Sequence, residues 1–166
     1  MEKIKDQVAV RMAGTTTEEI DAIHRYIYLL GEYQKMSEST VCITKETLKA
    51  QMEDKTLEVA LAEYQGNPIG LGLFYTLASG FSGKTSMFLN IFYVEERFRF
   101  LGAGREIIKF LSQICLDRNY ERMEWLCLDW NEPSIRFYKS LDSRVIDVVT
   151  TYRLMPEDME RLAGEE

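Results

Sequence analysis

The passage from a strand to a helix between residues 86 and 117 is the feature that most constrains the fold. The run Ser86–Val94 is rich in aromatic and branched residues and favours a strand. From Ala103 onward, apolar residues recur at spacings of three and four, which is typical of an amphipathic helix. Arg99-Phe100-Leu101-Gly102-Ala103-Gly104 connects them. Such a loop can bind an anion through its backbone N–H groups and the helix dipole. An ordinary strand-to-helix turn with incidental glycines is the alternative.

The rest of the chain alternates between the strand period and the helix period, with no repeat or linker to interrupt it. Thr16 and Glu19 have the spacing of a capping box at the start of a helix. We predict strands at 8–12, 57–64, 69–77, 86–94, 123–130 and one or two within 145–154, and helices from 17 to about 36, after 44, at 103–117, at 133–141 and from 156. This order predicts a single α/β domain over residues 1–166, a mixed sheet with helices on both faces.

Composition narrows the partners. The chain has 20 basic and 27 acidic residues, a net charge of −7, and no long Lys/Arg run, so we expect no nucleic-acid partner. It has no apolar stretch of about 18 residues and no apolar core near Met1–Gln7, so we expect neither a membrane span nor a signal peptide. Three widely spaced cysteines and one histidine predict no disulfide and no metal site. His24 is expected on a helix face, and the protein in the cytoplasm.

One segment imitates a nucleotide-binding loop. Residues 78–85, Ala-Ser-Gly-Phe-Ser-Gly-Lys-Thr, fit a relaxed Walker A pattern with Ala in place of the first Gly. A P-loop must open a helix whose N-terminus holds the phosphates. Here the strand-forming run Ser86–Val94 follows instead, so we predict a hairpin loop.

Two segments resemble those of a known family. The run 99–104 looks like the Arg/Gln-x-x-Gly-x-Gly/Ala loop of the GNAT acetyltransferases. Residues 128–139, Leu-Asp-Trp-Asn-Glu-Pro-Ser-Ile-Arg-Phe-Tyr-Lys, look like the Trp-Asn to Phe-Tyr segment of the diamine (spermidine/spermine-type) acetyltransferase branch. The resemblance covers about residues 8–154 in element order. It implies a GNAT fold whose sheet is splayed around acyl-CoA, acetyl-CoA as co-substrate and a homodimer.

The resemblance also implies roles for individual residues. Tyr138 is the general acid that protonates the departing CoA thiolate; the alternative is that Phe137 and Tyr138 are core aromatics at a helix end. Asn131 and Ser134 resemble positions that contact the arm of the cofactor, while Asn131 is also a good N-cap and Pro133 suits a first helical turn. The full set expected to bind the cofactor is Phe92, Tyr93, Val94, Arg99, Phe100, Leu101, Gly102, Ala103, Gly104, Arg105, Asn131 and Ser134.

The sequence departs from this branch at the acceptor site. Where the branch carries adjacent Glu and Asp on the strand before the loop, this chain has Asn90 and Ile91. Asn90, Asp129, Glu32 and Phe81 are the residues expected to contact the acceptor, and Glu38 lies in the same loop region as Glu32. Ile91 and Phe92 are also expected near the thioester, which suits a less charged or partly apolar amine. The sequence thus predicts acetyl transfer from acetyl-CoA to a primary amine of a small molecule, by direct attack in a ternary complex. The alternative is a degenerate member that binds acyl-CoA as a sensing or assembly module.

Overall fold

The computed structural model describes residues 7–37 and 39–165. Glu38 and the first six residues, on which two of the expectations above fall, lie outside that range. The chain forms two compact units, one ending at Leu126 and one beginning at Cys127. The elements of the first unit are β1 (Val8–Met12), α1 (Thr17–Tyr33), α2 (Lys45–Glu53), β2 (Glu58–Tyr64), β3 (Asn67–Ala78), β4 (Thr85–Val94), a 3-10 turn (Glu96–Phe98), α3 (Ala103–Asp117) and β5 (Met123–Glu124); those of the second are α4 (Glu132–Lys139) and α5 (Pro156–Ala163).

The first unit is built on a five-stranded mixed sheet in the order β1-β2-β3-β4-β5. The first three pairings are antiparallel, and β4 pairs with β5 in parallel. Alternate residues of β2 and β3 bury one face against α1 and α2. The opposite face packs against α3, where Leu111 and Ile107 lie over Gly72. The predicted α/β class, with a mixed sheet and helices on both faces, is confirmed.

The first helix begins as its sequence predicts. Thr16 Oγ1 accepts a hydrogen bond from the amide of Glu19 at 3.3 Å, and the Glu19 carboxylate accepts one from the amide of Thr16 at 3.3 Å. The helix ends at Tyr33 rather than near residue 36, because Lys35 adopts a left-handed conformation with φ of 56°. His24 lies on this helix, and its Nε2 is 3.0 Å from the carbonyl of Ile43.

Two predicted strand regions are wrong. The strand expected over 123–130 is only Met123–Glu124, and residues 145–154 form no strand. Val148 and Tyr152 are 89% and 91% exposed. Branched and aromatic residues form strands only where a neighbouring strand and a packing surface receive them. Residues 125–130 and 145–154 have strand-like composition without a ladder partner, so their propensity alone forms no strand.

The β3–β4 pairing depends on a glycine at Gly70. A Cβ added there would lie 2.4 Å from the carbonyl oxygen of Tyr93 and 3.0 Å from the Cα of Val94. Both are backbone atoms that cannot rotate away. We therefore expect Gly70→Ala to lower the free energy of unfolding by about 1–3 kcal/mol, measured by urea denaturation. Gly80→Ala is the control, since a Cβ at Gly80 meets nothing within 4 Å. Equal stabilities for the two variants would contradict the close approach.

Candidate active site

The glycine loop follows directly from β4. The 3-10 turn carries Phe98 into the core, and Phe100 and Gly102 then take left-handed conformations with φ of 63° and 97°. Gly102 is the N-cap of α3 and makes no side-chain cap. The helix's own bonding begins with the amide of Glu106, which donates to the carbonyl of Gly102 at 3.1 Å. The amides of Ala103 and Gly104 precede it, at the positive end of the helix dipole.

Arg99 holds this loop against the end of β4. Its Nε donates to the carbonyl of Val94 at 2.9 Å. Its guanidinium carbon lies 5.2 Å from the ring centre of Tyr33 and 5.6 Å from that of Tyr93. The side chain is therefore turned toward the sheet and α1. Any anion at this loop would meet backbone amides first.

β4 and β5 pair near the start of β4 and are no longer paired where β4 approaches the loop. The two strands pair only at Met87 and Phe88. Farther along β4, the amide of Glu95 donates to Ile69 of β3 at 2.8 Å. Because bonding direction alternates along an antiparallel strand, the backbone groups of Phe92 and Val94 point away from β3. This is the edge from which a splayed sheet would pair with an extended ligand.

A bulge in β4 falls at Asn90. Leu73 pairs with Ile91 and Phe74 with Leu89, so Asn90 has no counterpart on β3. Its side chain is exposed, whereas Ile91 packs against the core beneath α1 and α2. A bulge redirects a side chain relative to its neighbours. The two positions that carry carboxylates in the diamine branch thus face different surroundings here.

Of the other residues expected at the acceptor, Phe81 and Glu32 belong to the first unit and Asp129 to the second. Phe81 is fully exposed at the tip of the β3–β4 hairpin. The start of β4 at Thr85 is itself roughly 17 Å from Asn90, at about 3.3 Å per residue. Phe81 lies beyond Thr85 in the hairpin, so we do not propose that it contacts an acceptor bound at Asn90. Glu32 is exposed in the last turn of α1, and Asp129 is exposed in the turn before α4.

That hairpin tip is also the Walker-like segment. The amide of Ser79 donates to the carbonyl of Lys84 at 2.9 Å, and that of Gly83 to Ser79 at 2.9 Å. β4 begins at Thr85, so no helix follows these residues. The predicted hairpin loop is confirmed.

The second unit contains the remaining expected site residues. Asn131 caps α4, its Oδ1 accepting from the amide of Ser134 at 3.4 Å, and only 5% of Asn131 is exposed. Tyr138 lies in the last turn and is partly buried. Burial, and secondarily the neighbouring Cys127, raise the pKa of the Tyr138 phenol well above its ordinary value. The phenol therefore stays protonated at neutral pH and can donate a proton.

A groove between α1 and the end of β4 was missed by the sequence reasoning. Its volume is about 500 Å³. The groove is lined by Arg25, Leu29, Tyr93, Glu95, Glu96 and Arg97. Arg25 and Leu29 are one helical turn apart. Tyr93 near the end of β4 and Glu95 just after it are two residues apart in extended chain and face the same side. These two spacings are the signals that could have found the groove.

The cysteines and the possible metal-ligating side chains of the described residues form neither disulfides nor metal clusters. Cys42, Cys115 and Cys127 are free thiols. Within residues 7–37 and 39–165, no three His, Cys, Asp or Glu side chains are grouped so that they could hold a metal ion. No helix in this part of the chain has both the length and the apolar character needed to cross a bilayer.

Comparison with known proteins decides the family. Residues 20–142 match the model of the acetyltransferase (GNAT) family. The chain belongs to the GNAT acetyltransferase family. The predicted family, fold and enzyme class, an acetyl-CoA-dependent N-acetyltransferase, are confirmed. Members of this family use acetyl-CoA as co-substrate.

Individual relatives of this GNAT chain agree with that assignment. A thialysine N-epsilon-acetyltransferase from Sus scrofa is 31% identical over 156 residues, 86% of this chain and 91% of the relative. A spermidine/spermine N(1)-acetyltransferase-like protein 1 from Homo sapiens is 32% identical over 101 residues, 59% of this chain and 14% of that protein. The crystal structure of an aminoglycoside acetyltransferase from an uncultured soil metagenomic sample superposes with a TM-score of 0.78 at 16% identity, covering 92% and 99% of the two chains. That last likeness supports the fold alone.

Proposed function

We propose that the protein transfers the acetyl group of acetyl-CoA to a primary amine of a small, amino-acid-like acceptor. The observation that carries the proposal is the loop 99–104 at the open end of β4, within a GNAT chain. Acetyl-CoA supplies a thioester carbonyl and a thiol leaving group. The residues of the chain then have three tasks: to hold the donor, to receive the amine and to provide a proton.

The loop and the side of β4 that faces away from β3 fit the acyl donor. The amides of Ala103 and Gly104 lie where a pyrophosphate would be attracted by the helix dipole. Backbone groups of Phe92 and Val94 face away from β3, which suits pairing with the amides of a pantetheine arm. The carbonyl of Val94 already accepts from Arg99, so it is less available for that pairing. The other loop residues, Phe100, Leu101 and Arg105, complete the turn around the phosphates.

The departing thiolate needs a proton, and Tyr138 is the residue proposed to supply it. The neutral amine nitrogen forms a bond to the thioester carbon, and the carbon–sulfur bond breaks. The departing thiolate takes a proton from the Tyr138 hydroxyl, the nitrogen loses one proton to solvent as the amide forms, and solvent returns a proton to the Tyr138 phenolate. A phenol with an ordinary pKa of about 10 is already neutral at pH 7 and has a proton to donate. Asn131 and Ser134 fix the start of the helix that carries Tyr138, and they are expected to contact the donor as well.

The acceptor follows from what replaces the carboxylates of the diamine branch. Asn90 offers an uncharged amide at the bulge, and Ile91 is committed to the core. Each charge-assisted hydrogen bond contributes about 1.5–3 kcal/mol, so loss of two lowers polyamine affinity by roughly two to four decades. Relatives named for thialysine, an amino acid with a terminal amine, support an acceptor of lower net charge. Glu32 and Asp129 are the carboxylates proposed to receive the amine.

An acceptor panel tests this proposal. We expect CoA release from acetyl-CoA to be faster, in kcat/KM, with thialysine or lysine than with spermidine. Acetyl-CoA and CoA should raise the melting temperature, whereas ATP should not, because the Walker-like loop has no helix behind it. Spermidine as the best acceptor by a wide margin would contradict the argument from Asn90 and Ile91.

One observation favours a second candidate, an acyl-CoA-binding module without turnover. Asn90 stands where the resemblance implies a carboxylate that helps to deprotonate the amine, and its uncharged amide cannot act as that base. Ile91, which stands in place of the second carboxylate, packs against the core. Binding of acetyl-CoA with no thiol release across the whole panel would favour this candidate.

We further propose that residues 1–166 act as one domain, in a cytoplasmic homodimer. Sedimentation analysis checks the oligomeric state.

A further inference from the structure

The groove between α1 and the end of β4 has the charges of a binding site for a zwitterion. Two arginines and two glutamates line it beside the apolar side chains of Leu29 and Tyr93. All six residues belong to the first unit, so the groove is complete within it. A formally neutral lining suits a ligand group with one positive and one negative charge. A polyamine would require excess negative charge.

The two guanidiniums are fixed in place by Glu95. Its Oε1 accepts from Arg25 Nη2 at 3.2 Å and its Oε2 from Arg97 Nε at 3.0 Å. The buried hydroxyl of Tyr26 has one proton, which it shares between the Pro68 carbonyl at 2.7 Å and Oε1 of this carboxylate at 2.9 Å. Each guanidinium also lies over an aromatic ring, Arg25 at 4.7 Å over Tyr26 and Arg97 at 4.8 Å over Phe98. Such fixed positions lower the entropy lost when an anion binds.

Both arginines still present donors to solvent. Their side chains are 57% and 72% exposed, and a guanidinium has five N–H donors. Glu95, by contrast, is 16% exposed and has both oxygens in use, so it positions the arginines. Glu96 also lines the groove and makes no ion pair among the described residues. It is the carboxylate available to a ligand ammonium.

We propose that this Arg25/Arg97 groove binds the α-amino-acid head group of the acceptor. The carboxylate would lie between Arg25 and Arg97, and the α-ammonium near Glu96. This inference rests on the proposed function and specifies its substrate class. Bond lengths place the terminal nitrogen of a lysine-type acceptor roughly 7 Å from its carboxylate. Two strand residues span roughly 7 Å, so from the level of Glu95 the amine reaches that of Tyr93, the neighbour of Phe92, where the donor arm is expected.

Three acceptors separate the contributions of the head group. Lysine carries both charges, 6-aminohexanoate lacks the α-amine, and 1,5-diaminopentane lacks the carboxylate. We expect Arg25→Gln and Arg97→Gln each to raise KM roughly 10- to 100-fold for the first two acceptors and to leave the diamine unchanged. Glu96→Gln should raise KM for lysine and 1,5-diaminopentane, which both keep the amine that Glu96 receives, and should leave 6-aminohexanoate unchanged. The KM of acetyl-CoA and the kcat should stay near wild type.

Controls keep these outcomes distinct. Arg122→Gln removes another exposed, ion-paired arginine of the first unit outside the groove, and it should change no KM. Unchanged KM values for lysine in both groove variants would overturn the proposal. So would a rise in the KM of acetyl-CoA, because the groove would then serve a phosphate of the donor. Calorimetric binding of lysine to the protein–CoA complex needs no turnover. Lysine binding that both arginine variants weaken, without turnover on any amine, would support the groove while contradicting the proposed function; binding that neither variant weakens would overturn the groove.

Discussion

Replacing Tyr138 with Phe lowers kcat on the best acceptor by roughly 10²–10⁴-fold, the usual contribution of general acid–base catalysis. The variant keeps the ring and removes only the proton donor, so the departing thiolate must leave as an anion. Affinity for CoA should remain near wild type, because the hydroxyl acts on the sulfur only as the bond breaks. Steady-state kinetics and CoA titration by calorimetry measure the two quantities separately.

The matched control for this variant is Tyr152→Phe. Tyr152 belongs to the same unit and is 91% exposed, so loss of its hydroxyl should change neither quantity. Because burial raises the pKa of Tyr138 above about 10, its deprotonation should not lower kcat between about pH 7 and 9. A Tyr138→Phe enzyme within a factor of about two of wild type would show that the role belongs to another group.

Local chemistry explains which parts of the fold could be predicted. The Thr16/Glu19 capping box and the periodicity of α3 are set by residues within a few positions of one another, so their sequence is sufficient. The strand predicted over 123–130 needed a partner along its whole length, and β4 provides one at only two residues. The apolar residues of 145–154 have no ladder at all. Strand formation depends on distant pairing, which composition cannot supply.

The same distinction separates the predicted and the missed parts of the site. The glycine loop could be predicted because a left-handed Gly102 followed by a helix is a local pattern. The inward turn of Arg99 could not be predicted, since it depends on contacts of this loop residue with Tyr93 and Val94 of β4 and with Tyr33 of α1. The Arg25/Arg97 groove likewise joins residues about 70 positions apart in sequence. The bulge at Asn90 arises from the register of β3 and β4, and a single strand's sequence does not contain it.

The second large effect is expected on CoA affinity in Gly104→Asp, which places a negative charge in the loop. Gly104 lies in the first turn of α3, where interaction of an acidic side chain with the helix dipole stabilises the helix by about 0.3–1 kcal/mol. The free protein should therefore melt at the wild-type temperature or slightly above it. A phosphate at the same amides would be repelled: two unit charges about 4 Å apart interact by about 4 kcal/mol at an effective dielectric constant of about 20. We expect CoA affinity to fall by at least about 100-fold.

Gly104→Asn separates charge from crowding, since it has nearly the same shape and no charge. It should bind CoA more tightly than Gly104→Asp, and the difference should shrink as salt is raised because screening weakens the repulsion. Gly102→Asp is a harsher variant, because φ of 97° strains any residue with a Cβ and it should also lower the melting temperature. Calorimetric titration of CoA against the three variants decides the matter. If Gly104→Asp binds CoA as wild type does while its helix remains intact, the pyrophosphate lies elsewhere and the loop only connects β4 to α3.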